Sequence, residues 1–225
     1  MEKKNLGWNP ADYTPFQRAM NWLHYHKWWV LGGILVLALL LSWMKPGASK
    51  PDYYFAYVGS FQLPEDSVDA LERELAKLGT DANGDGEVIV ALVQYVAGGT
   101  ESAESIMYGQ ATDVMLLADV SEAESFFFLM EDPDALQKNF QILAQADGSA
   151  PAEDDFDTDG KALRWGDCPA LTALDLGSYE SFYLEIIGTG QTKDLVAPLY
   201  VGRRYCECEY PEANEALWNA MTAGT

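Results

Sequence analysis

Residues 49–225 contain no histidine; the chain's two, His24 and His26, both fall near its start. That absence removes Ser-His-Asp and Cys-His nucleophilic catalysis, HExxH zinc chemistry and histidine metal triads from the larger part of the chain. Basic residues are also scarce: 14 Lys and Arg stand against 35 Asp and Glu, for a net charge of −21. Nucleic acid is thereby excluded as a partner, because phosphate contacts need clustered Lys and Arg, whereas cations and basic partners suit this balance. Cysteine occurs three times, at Cys168, Cys206 and Cys208. Cys206 and Cys208 are too close in sequence for an easy mutual disulfide, so the alternatives are one bond to Cys168 or three free thiols. Cys206-Glu207-Cys208 falls short of the four N/S ligands that zinc takes. GxSxG, phosphate-loop and dinucleotide motifs are missing as well, and no catalytic residue is assigned.

What the chain does have is one long apolar run. Trp28 to Met44 (WWVLGGILVLALLLSWM) is seventeen residues without a charge. As a helix it reaches roughly 26 Å, and tryptophans at both ends extend it toward the ~30 Å of a bilayer core. The expectation is a single uncleaved transmembrane helix over 28–44, with Trp22, Tyr25, Trp28 and Trp29 forming one interfacial belt and Trp43 the other. Thr14-Pro15 reads as an N-cap followed by proline at the first helical position, so the helix is expected to begin at residue 15. The tail before the run carries a net +2 and the remainder −23. This places residues 1–27 as a cytoplasmic tail with an interfacial helix, and the rest beyond the cell membrane.

Residues 45–51 read as a linker and 52–225 as an extracytoplasmic domain; at 48% hydrophobic the chain has enough apolar residues for a core. Tyr53–Gly59 and the near-continuous apolar run Val88–Val96 are expected strands. Between them, Pro64–Leu78 is a helix with Val68, Leu71, Leu75 and Leu78 on one face and Gly79 at its end. Thr100–Ala111 is expected as a short helix and Asp113–Ala118 as a third strand. Ser121 and Glu124 form a capping box opening a helix through Phe126–Met130, and Asp132-Pro133 opens another through Leu136, Phe140 and Leu143. After an acidic loop at 144–167 come strands at Ser181–Ile187 and Leu199–Tyr205, and a closing helix at Pro211–Met221. The alternation predicts an α/β domain with a mainly parallel sheet flanked by helices.

Two segments share a local pattern. Asp81-Ala-Asn83-Gly-Asp85-Gly86 and Asp155-Phe-Asp157-Thr-Asp159-Gly160 place oxygens at positions 1, 3 and 5 with glycine at 6, as a calcium-wrapping EF-hand loop begins. Calcium is the cofactor such loops would take, with Asp81, Asn83, Asp85 and the adjoining Glu87 as one ligand set and Asp155, Asp157 and Asp159 as another. Position 12, where the motif needs a bidentate Glu, holds Leu92 and Gly166.

Tyr53–Gly59, the helix after it, DANGDGEVIVALVQYV and ATDVMLLAD resemble the N-terminal lobe of extracytoplasmic solute-binding proteins with the type 2 periplasmic-binding fold. LYVGRRY and ALWNAM are similar to tail segments of such proteins in Gram-positive bacteria. The resemblance covers residues 52–143 and 195–222 and implies a lobe whose strands end at a ligand cleft; it carries no individual ligand residue. Residues 144–198 are too few for a second complete lobe.

Two functions follow as expectations. One is a membrane-anchored, non-catalytic interaction or accessory domain of a cell-envelope or transport complex, with the lipid bilayer as partner through 28–44 and a membrane protein as partner of the outer domain. The other is a solute- or cation-binding receptor domain that takes a small molecule. A folded domain with no concave pocket favours the first, and a pocket lined by Tyr, Trp and Asp favours the second.

Overall fold

The structure, a computed structural model, describes residues 15–43, 49–97, 103–183 and 186–225. The chain divides into two compact units, Met1–Ala48 and Ser49–Thr225. The first contains one described helix, α1 (Pro15–Trp43, 29 residues). Within it Trp22 stacks on His26 at 4.7 Å between ring centroids.

Among the described residues, no helix is long and apolar enough to cross a membrane. This corrects the transmembrane helix expected at 28–44 and the single-pass reading built on it. Gln17, Arg18, Asn21, His24, His26 and Lys27 occupy the first half of α1. Its continuous apolar part is therefore shorter than the about 20 residues that a span takes. Thr14, Met44 and Lys45 lie outside the described residues.

The second unit is built on a five-stranded mixed sheet. Its strands are β1 (Tyr53–Gly59), β2 (Val90–Val96), β3 (Phe127–Met130), β4 (Ala162–Arg164) and β7 (Tyr200–Arg203), in the order β2-β1-β3-β7-β4. β1 pairs parallel with both β2 and β3, Phe55 lying opposite Leu92 and Phe127. β7 runs antiparallel to β3 and β4. The mainly parallel sheet expected from the sequence is thus corrected to a mixed one. A separate hairpin pairs β5 (Ser178–Tyr183) with β6 (Ile186–Gln191). The helices are α2 (Glu65–Ala76), α3 (Ala103–Glu122), α4 (Pro133–Phe140), α5 (Pro169–Thr172), α6 (Thr192–Val196) and α7 (Pro211–Met221).

Residue alternation explains the layers. Tyr53, Phe55 and Tyr57 of β1 and Phe127 and Leu129 of β3 point into one core with Leu71 and Leu75 of α2 and Trp218 of α7. Ala56, Phe128 and Met130 point the other way, against Leu116 of α3 and Leu136 of α4. A strand of period 2 with both faces apolar is stable only when covered on both sides. Each large side chain so buried contributes about 1.5–3 kcal/mol.

Two expected elements exchange identity. The segment Asp113–Ala118 is not a strand but part of α3, which runs unbroken to Glu122, and Phe127–Met130 is not a helix but the wholly buried β3. Aromatic residues in unbroken sequence have no outward-facing position, which suits a strand buried on both faces better than a helix with one wet side. Ser121 does not open a helix: its hydroxyl donates back to the Leu117 carbonyl at 2.7 Å.

Tyr57 is wholly buried, and its hydroxyl has no hydrogen-bond partner among the described residues. Burial first, and Glu131 second, hold the phenol far above its ordinary pKa. Gly59 is required beside it, because a Cβ there would sit 2.2 Å from Tyr57 Oη. An unpaired buried hydroxyl costs about 1–3 kcal/mol. Tyr57→Phe should therefore leave stability unchanged or raise it by about 1 kcal/mol in urea unfolding; a clear loss would show that the hydroxyl is satisfied.

Candidate functional site

The two aspartate loops lie in separate places and bind their own chain. In the first, between α2 and β2, Asp81 accepts from the backbone N–H of Gly84 at 2.6 Å and of Gly86 at 2.8 Å. Asn83 Oδ1 accepts from Asp85 N at 2.9 Å and Asp85 Oδ1 from Glu87 N at 3.0 Å. Gly84 and Gly86 both have positive φ, which lets the backbone turn its N–H groups inward. Asp52, which carries no motif, holds the loop to the sheet by accepting from Ala82 N and Asn83 N with one oxygen and Ile89 N with the other, all within 3.0 Å. Glu87 extends outward and accepts from Ser49 Oγ at 3.4 Å.

The second loop carries its own cation. Lys161, fully buried, places Nζ 2.7 Å from Asp155 Oδ1 and donates to the Asp157 carbonyl. Asp157 Oδ1 accepts from Asp159 N, and Gln137 reaches across from α4 to the Asp155 carbonyl at 2.7 Å. Lys161 is one residue beyond the segment that resembles an EF-hand start, so the spacing that suggested a metal accommodates an ammonium. Among the described residues, no group of three or more His, Cys, Asp or Glu side chains is placed to hold a metal ion.

A cleft opens at the carboxyl ends of the parallel strands. β1 connects through α2 to β2 on one side, and β2 through α3 to β3 on the other. The connections cover opposite faces of the sheet and diverge beyond Gly59, and open α/β sheets bind ligands where strand order reverses in this way. The cavity there is about 530 Å³, within the usual size range of small-molecule sites. Its walls are Val58, Ala97, Leu116, Ala135, Leu136 and Phe140; its polar groups are Ser60, Asp113, Glu131, Asp132 and Asn139.

Two of the three acids have structural duties. Glu131 accepts from Ser60 N at 2.8 Å, and Asp132 caps α4 by accepting from Ala135 N at 2.9 Å. Asp113, exposed on α3, makes no hydrogen bond to another described residue. Among the described residues, no Lys or Arg lines the cleft. A neighbouring cavity of about 380 Å³ shares Glu131 and Asp132 and adds Asp134 and Asp159. Apart from Asp132 at the start of α4 and Asp159 of the second aspartate loop, these residues form no motif in the sequence: they come from five separated segments that the fold brings together.

A further cavity of about 380 Å³ lies at the opposite end of the sheet, with Asp52, Glu122, Glu124, Glu207 and Glu209 around Tyr54 and Cys208. The three cysteines are free. Cys168 is buried, and burial and then Asp167 raise its thiol's pKa. Burial likewise raises Cys206, Arg204 opposing it in part. Neither thiol is set up as a thiolate nucleophile. No family model, curated protein or solved structure matches the chain.

The lysine-filled loop makes a pH-dependent prediction. The bond from Lys161 holds the Asp155 carboxyl below its usual pKa. A carboxyl lowered by folding adds stability above its unfolded pKa of about 3.9, and that stability is lost as pH falls through the lower folded value. Lys161→Met should lower the melting temperature by several degrees at pH 7 and flatten the acid limb of stability below about pH 4. An unchanged acid limb would show that the pair is not the group being titrated.

Proposed function

We propose that residues 49–225 form a non-catalytic binding domain for a small organic cation with an apolar body, held in the cleft at the ends of β1, β2 and β3. The cleft itself, an apolar cavity whose charged groups are all carboxylates, is the observation that carries this reading. An apolar body would pack against Leu116, Leu136 and Phe140, and an ammonium group would meet Asp113, the acid without a structural bond. The domain's negative field concentrates cations at such a mouth and repels anions. The resemblance to a solute-binding lobe points the same way.

Calorimetry of the full chain with phenethylammonium and with the equally shaped, uncharged phenethyl alcohol tests the reading. Phenethylammonium should bind at least about tenfold tighter, and the preference should weaken in high salt. Asp113→Asn should erase the preference without changing the melting temperature, because Asp113 is exposed. Ala135→Trp, which fills the cavity, should abolish binding of both. Equal affinity for both ligands, or unaltered binding in Ala135→Trp, would contradict the proposal.

A further inference from the structure

Helix α3 is inverted relative to an ordinary surface helix. Its buried positions are Gly109, Thr112, Leu116 and Asp119, only one of them a large hydrophobe. Its outward positions Met107, Ala111, Val114 and Ala118 recur at spacings of four, three and four, the seam of a packed helix pair. Tyr108, Met115 and Leu117 widen the stripe, and all seven residues are exposed, Met107 by 70% and Val114 by 67%.

The helix cannot roll to hide this stripe. Asp119 is buried and accepts from Tyr95 Oη at 2.6 Å, from Ser125 Oγ at 2.5 Å and from Ser125 N at 2.9 Å. Arg204 donates to the Asp119 and Val120 carbonyls at the helix end. Turning the stripe inward would expose or strand these partners, at a cost of several hydrogen bonds to a charged group. The apolar face is therefore fixed outward and available to a partner.

Charge selects the kind of partner. α3 contains neither Lys nor Arg; Asp113 lies on one flank of the stripe beside Leu117, and Glu122 at its C-terminal end, one turn past Ala118. Of the nine basic residues in 49–225, Lys161, Arg203 and Arg204 are buried. Asp52, Glu74 and Asp119 are buried as well, so the outer surface keeps the strongly acidic balance of the sequence. A second copy would bring the same acids against these, whereas a helix with basic flanks would meet them favourably.

We propose that the outward face of α3 is a docking surface for a basic amphipathic helix of a partner protein, an apolar seam of about three turns packing on Met107–Ala118 with Lys or Arg beside Asp113 and Glu122. This site shares Asp113 with the cleft but packs its apolar seam on the opposite side of the helix from Leu116.

The test is fluorescence anisotropy of three labelled 18-residue peptides with the full chain: an amphipathic Leu/Lys helix, a scrambled peptide of the same composition, and an amphipathic Leu/Glu helix. The Leu/Lys helix should bind at least tenfold tighter than either control. Val114→Glu and Met115→Glu should each weaken it about tenfold while leaving circular dichroism and melting temperature unchanged, because both side chains are exposed. Ala135→Trp should leave peptide binding intact, which separates this site from the cleft. Equal binding of the scrambled peptide, or full binding by Val114→Glu, would overturn the proposal. So would a dimer in sedimentation velocity that Val114→Glu dissociates, which would assign the face to a second copy.

Discussion

The burial of β1 on both faces is the constraint from which the rest of the larger unit follows. A strand whose alternate residues are Tyr53, Phe55 and Tyr57 on one side and Ala56 on the other must be covered twice. Parallel pairing with β2 and β3 leaves the strand edges no water, and each connection has to carry a helix across one face. Because α2 and α3 take opposite faces, they part at the carboxyl end of β1, and the cleft opens there on the α3 face, between α3 and α4. Gly59 marks that place: it closes the strand against Tyr57, and its carbonyl accepts from Ala97 N at 2.8 Å across the mouth.

The scarce basic residues are used inside the domain. Lys161 fills the turn that Asp155 and Asp157 make. Arg203, also buried, pairs with Glu215 of α7, donates to the Ala146 carbonyl at 2.7 Å and lies over the Trp218 ring at 5.0 Å. Trp218 Nε1 donates to that same carbonyl at 3.0 Å. One backbone oxygen of the acidic loop therefore ties β7 and α7 together, and Gly148 is needed beside it because a Cβ would come 2.8 Å from the guanidinium. Arg204 performs the equivalent task at the end of α3. These three cations pair with loop carbonyls and carboxylates in the interior, while the other six basic residues of 49–225 stay at the surface among the acids.

Elements with a single strong periodic signal were legible in the sequence: β1, α2, β2 and α7 lie where their patterns put them, and α4 opens at its Asp132 cap and Pro133 as expected but stops at Phe140, short of Leu143. α3 and β3 were not, for a physical reason. α3 turns its apolar residues outward and its polar ones inward, so the usual rule that apolar residues mark the buried face misleads there. β3 is apolar at every position, and such a run has no period by which to separate strand from helix. The three-residue β4 is too short to show a pattern. The aspartate motifs were visible but incomplete, and Lys161, the residue that fills the second, sits just beyond it. The apolar run at the start of the chain was equally visible, but the polar residues woven into the first half of α1 limit it. The cleft was invisible because it exists only through strand order.

The most direct measurement of the central claim is an amide-resolved NMR titration of the full chain with phenethylammonium. The account predicts shift changes grouped at Gly59, Ser60, Ala97, Asp113, Leu116 and Asn139, with the amides of Tyr54, Glu124 and Cys208 at the far end of the sheet unmoved. Changes centred on that far end, or scattered over the acidic surface without saturation, would contradict it.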